Sequence, residues 1–84
     1  MTKVFLNNLQ KGIKKAGMDT IAGLWEHMNY AERADIEIIC ERKGLALSLH
    51  NIAKLLSENE GILKAVYENA EEAEKRDLDA LAML

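Results

Sequence analysis

The stretch SLHNIAKLLSENEGILKAVYENAEEAEKRDLDALAML, residues 48–84, sets what kind of protein this can be. Taken in steps of three and four it gives Leu49, Ile52, Leu56, Asn59, Leu63, Val66, Ala70, Ala73, Asp77, Ala80 and Leu84. All but Asn59 and Asp77 are apolar, so the spacing predicts helix with one stripe turned toward a neighbour. Ser48 is placed to cap this segment, with Leu47 and Ile52 spaced as a hydrophobic staple. Ser57 and Glu60 have capping-box spacing, and Gly61 disfavours an uninterrupted helix. A break is therefore expected at residues 57–60, followed by one long helix from Gly61 to Met83. That helix carries Glu60–Lys64, Glu71–Lys75 and Glu72–Arg76 pairs at i,i+4.

The preceding segments also read as helices. Phe5, Leu9 and Ile13 recur at i, i+4 and i+8, which predicts a first helix over Val4–Ala16, closed by Gly17 as a left-handed residue. Asp19 is placed as N-cap of a second helix over Thr20–Met28, whose stripe is Ile21, Leu24, Trp25 and Met28. Asn29 and Glu32 have capping-box spacing for a third helix over Tyr30–Lys43, with Ala31, Ala34, Ile38 and Leu45 marking one face, Ile39 and Cys40 beside it, and Gly44 as C-cap. The chain has 84 residues and no proline, and Leu, Ala, Glu and Lys dominate it. The expectation is an all-α, compact single domain over residues 1–84, of four to five helices with the longest C-terminal.

Charge is unevenly spread. Residues 1–18 hold four lysines and no acid, whereas both later segments are acidic and the net charge is −3. Lys11, Lys14 and Lys15 form a candidate basic patch, read first as a solvated face matched to the dipole at a helix C-terminus. Cys40 is the only cysteine, which excludes an internal disulfide and fits the cytoplasm. Its isoleucine neighbours suggest a buried, inert thiol. No stretch approaches the ~20 apolar residues of a membrane span, and a membrane-lying first helix would have to give up the apolar face that a small core needs.

Chemistry-bearing constellations are not evident in the sequence. His27 and His50 are not spaced as metal ligands, the glycines form no phosphate-binding loop, and no cofactor is implied. Enzyme activity is not expected. The reading that fits is a small cytoplasmic protein-binding regulator, adaptor or inhibitor that occupies a surface of a larger protein or complex. Small antagonists encoded by phages or plasmids have this general profile. The candidate interaction surface is Leu63, Val66, Tyr67, Ala70, Ala73 and Asp77, with homodimerisation through the same stripe. The alternative is a helix-turn-helix-like DNA-binding regulator, with Ile52, Ala53, Leu56, Leu63 and Val66 as its apolar residues around a turn at Ser57–Asn59. The electrostatics oppose it, because Glu58 and Glu60 would face phosphates.

Overall fold

A computed structural model describes all 84 residues. Six helices follow one another: α1 Lys3–Lys15, α2 Met18–His27, α3 Tyr30–Arg42, α4 Leu49–Glu58, α5 Glu60–Asn69 and α6 Glu72–Ala82. The all-α expectation holds, but the count is six, and the longest helices are α1 and α3 rather than the C-terminal one.

Most boundaries follow from local chemistry. The Thr2 hydroxyl accepts from the Phe5 amide at the start of α1. The Asn29 side chain accepts from the Glu32 amide at 2.9 Å while its own amide donates to the Glu32 carboxylate, completing the expected capping box. Ser48 accepts from the Asn51 amide. Leu47, the outer half of the expected staple, is itself exposed. Gly44 has φ +70°, the Leu45 amide donates to the Cys40 carbonyl, and the Gly44 amide donates to that of Glu41. Together these form a Schellman close to α3. Gly17 does not play that part. It has φ −73° and serves as N-cap of α2, which moves Asp19 into the first turn, where its charge suits the helix dipole.

The break before α5 falls at Asn59, whose extended backbone separates α4 from α5 and whose amide donates to the Leu55 carbonyl. Ser57 is not a cap; it lies buried within α4. The single long C-terminal helix is not formed either. Ala70 is extended and Glu71 begins a new helix, with the Asn69 amide bonded back to the Ala65 carbonyl. The reason is geometric. A straight helix over residues 61–83 would span ~35 Å, whereas the molecule measures 30 × 24 × 22 Å. Dividing it lets α6 return across α1. Glu72 and Glu74 in the first turn favour a new N-terminus there.

One apolar cluster draws on every helix, including Leu6, Leu9 and Ile13 of α1, Leu24 of α2, Ile36 of α3, Leu56 of α4, Leu63 of α5 and Leu78 of α6. α1 packs most closely on α6 and α4, and α2 spans the same two helices, while α3 packs less closely on its neighbours and reaches the core through Ile36 and Cys40. Gly12 marks the tightest approach. A methyl group there would lie 1.7 Å from the Leu81 carbonyl oxygen.

Candidate protein-docking surface

The division at Ala70 shifts the register of the C-terminal stripe by one residue. Leu63 and Val66 are core residues, while Tyr67, Ala70 and Asp77 are half-buried and Ala73 is exposed. In α6 the buried positions are Glu74, Leu78 and Leu81, so the continuous face that heptad counting implies does not exist. A charge at Val66 would disrupt the core itself.

Each half-buried member of that stripe has a local partner. The Tyr67 hydroxyl donates to Asp79 at 2.8 Å, its ring meets Phe5 edge-on, and Lys75 lies 5.2 Å above it. Burial and the Asp79 carboxylate raise the Tyr67 pKa. Asp77 bonds His27 Nδ1 at 2.5 Å, tying α6 to the end of α2. Lys11 and Lys15 are exposed, and Lys14 lines a cleft of about 300 Å³ with His50, Lys54 and Glu58. Lys3, also on α1, pairs with Glu60 at 3.1 Å.

The surface that stands out is on α3. Its inner face is Glu32, Ile36 and Cys40, rotated from the expected Ala31, Ala34 and Ile38. Tyr30 is therefore 87% exposed and Ile38 46% exposed. Both belong to the outer arc of the helix, with Ala34 between them at i+4. On another side of α3, where Asp35, Ile36 and Ile39 lie, a cleft of about 230 Å³ separates it from α5. Ile39, Ile62 and Ala65 give it apolar walls, and Asp35 and Asn69 add polar groups. Gly61, at its far end, leaves open space where another residue would carry a side chain. Asp35, Glu37 and Glu41 make the exposed side of α3 acidic. Trp25 is half-buried rather than core. Arg33 of α3 lies 5.5 Å over its ring and donates to the Trp25 and Glu26 carbonyls at the end of α2.

Two acids are inside the protein. Glu74 of α6 is fully buried and Glu32 of α3 is 8% exposed, and Glu32 acts on the Glu74 carboxyl by hydrogen bond and charge. Sequence reasoning missed this pair. The available signal was that Glu74 stands at i−4 and i−7 from Leu78 and Leu81, on the face those leucines bury. Cys40 is buried, in agreement with its apolar neighbourhood.

No group of three or more His, Cys, Asp or Glu side chains is arranged to hold a metal ion. No helix is long and apolar enough to cross a membrane. No protein-family model matches the chain, and neither the curated proteins nor the solved structures contain a match to it.

Proposed function

We propose that this chain is a small cytoplasmic protein-binding regulator, adaptor or inhibitor that acts without catalysis, by occupying a surface of a larger protein or complex. The observation that carries the reading is the outer arc of α3. Tyr30 and Ile38 are large side chains left exposed on one face of the helix, with Ala34 between them. A tyrosine and an isoleucine exposed on one helix face are groups from which docking energy is drawn. The acidic side chains Asp35, Glu37 and Glu41 around them favour a partner that offers apolar side chains within a basic rim. Lysates of the source cells are the place to look, with the intact chain as bait and Ile38→Asp as its paired control. A partner retained by the wild type and lost with Ile38→Asp, at unchanged helicity, supports the reading. Equal retention by both overturns this choice of face.

The DNA-binding alternative draws on the α4–α5 pair and on Lys14 and Lys54 sharing one cleft. Its would-be reading helix, α5, offers Glu60, Lys64 and Glu68 outward, a poor match to phosphates. Self-association is retained as a proposal, and Ala73, Ala80 and Leu84 are the exposed apolar positions of the C-terminal stripe.

A further inference from the structure

Glu74 of α6 has neither carboxyl oxygen matched to a donor, and Glu32 of α3 has its Oε2 in the same condition. The Glu32 Oε1 receives only the Asn29 amide, at 3.2 Å. As two carboxylates they have no donor between them; with a proton on one, Glu74 and Glu32 can hydrogen-bond to each other.

The surroundings supply no cation in its place. On α6, Glu71 and Asp77 add negative charge, Lys75 lies over Tyr67, and Arg76 is paired with Glu72. From α2, His27 is engaged with Asp77. On α3, Arg33 is turned to the α2 carbonyls and Asp35 lines the cleft toward α5. From α5, Lys64 faces Glu68, and from α1, Lys3 pairs with Glu60. Lys11 and Lys15 are exposed, and Lys14, His50 and Lys54 gather at the α1–α4 cleft.

We propose that the Glu32–Glu74 pair is a proton-held latch: one proton shared between the two carboxyls fastens α3 to α6, and its removal lets α3 come away from the rest of the protein. Burial, the hydrogen bond and charge of Glu32, and the charges of Glu71 and Asp77 together push Glu74 up to about 9, so the proton is held at neutral pH. Once it is lost, two like charges face each other in a dry interface, which neighbouring side chains cannot neutralise. α3 is the element that yields, because none of the closest helix–helix packings involves it.

In functional terms the latch rests on the reading of α3 as a docking face, since it would set whether that face is presented. Its test needs no partner, so the two can fail separately. Amide hydrogen exchange resolved by residue, corrected for intrinsic rates, should be followed from pH about 7 to about 10. In the wild type, protection over Ile36–Cys40 should fall beyond the titration by up to about tenfold per pH unit, while α1 and α4 hold theirs. In Glu74→Gln the amide supplies the missing donor, and α3 protection should be independent of pH. Glu32→Gln removes the hydrogen bond and charge that help to raise Glu74 and offers an ionised Glu74 an amide donor, so the alkaline loss of α3 protection should be smaller than in the wild type; a loss as steep as the wild type's would overturn the latch. Wild-type α3 protection that tracks α1 and α4 throughout, or a Glu74→Gln profile identical to the wild type, would overturn the latch.

Discussion

Replacing Gly12 by alanine tests the closest packing in the molecule. The added methyl group would stand 1.7 Å from the Leu81 carbonyl oxygen, 2.6 Å from its carbon and 3.4 Å from its Cα. A comfortable carbon–oxygen contact is about 3.3–3.6 Å, so α1 and α6 must part by roughly 1.5 Å at their crossing. A gap of 0.5–1 Å already forfeits about a quarter to a half of the attraction between the atoms it separates. Leu9, Ile13, Leu78 and Leu81 belong to these two helices, and all four are fully buried. Overpacking costs about 1–3 kcal/mol, and the upper end applies because the obstruction is backbone and cannot rotate aside. Alanine returns about 0.5–1 kcal/mol through its better helix propensity. The net expectation is a loss of about 2 kcal/mol, which lowers Tm by roughly 8–16 °C in a domain of this size. Thermal and urea unfolding followed by far-UV circular dichroism would measure it. Gly23→Ala is the control, because no neighbouring atom lies within 4 Å of its added methyl group, and it should be stabilising by about 0.5–1 kcal/mol. If Gly12→Ala proved as stable as Gly23→Ala, α1 could not cross α6 in the way described.

Three further outcomes follow from the same geometry. Glu74 is raised from 4.5 to about 9 by burial and by Glu32. The native state thus keeps a proton that the unfolded chain releases, and the associated stability is complete below pH 4.5 and lost as pH rises toward 9. Unfolding midpoints taken across that window should fall in the wild type and flatten in Glu74→Gln; a parallel decline in both would refute the assignment. Asn29→Ala removes the capping box of α3 and should cost about 1 kcal/mol, read from urea midpoints, whereas no change would show the cap to be idle. Light scattering at high micromolar concentration tests self-association, with twice the chain mass expected and reduced by Ala80→Glu on the exposed side of α6; a monomer throughout would remove the dimer from the proposal.

The local signals were legible because their causes are local. Asn29–Glu32, Gly44 and Ser48 each act within a few residues, and α1 follows from the spacing of Phe5, Leu9 and Ile13. The C-terminal register was misjudged because heptad counting ran through Ala70 as if the helix continued. Neither glycine nor proline marks that break. What the sequence did offer was a mismatch: Asp77 and small residues on the counted stripe, with Leu78 and Leu81 one position beyond Asp77 and Ala80. The face of α3 was misjudged for a different reason. A glutamate occupies its inner side and an isoleucine its outer side, so a polarity pattern points the wrong way. The α3–α5 cleft joins residues far apart in sequence, and periodicity within either helix carries no information about their meeting.

The crossing of α1 and α6 also orders events during synthesis. Gly12 lies far upstream of Leu81, so α1 leaves the ribosome well before α6. The apolar side of α1 can meet α4 part-way through, but its closest companion arrives only after α6 has emerged. Local helices can form as they appear, yet the contact that unites α1 with α6 has to wait. Throughout that interval Leu9 and Ile13 lack part of their eventual cover, which makes the nascent chain a client for whatever shields apolar surface near the exit site.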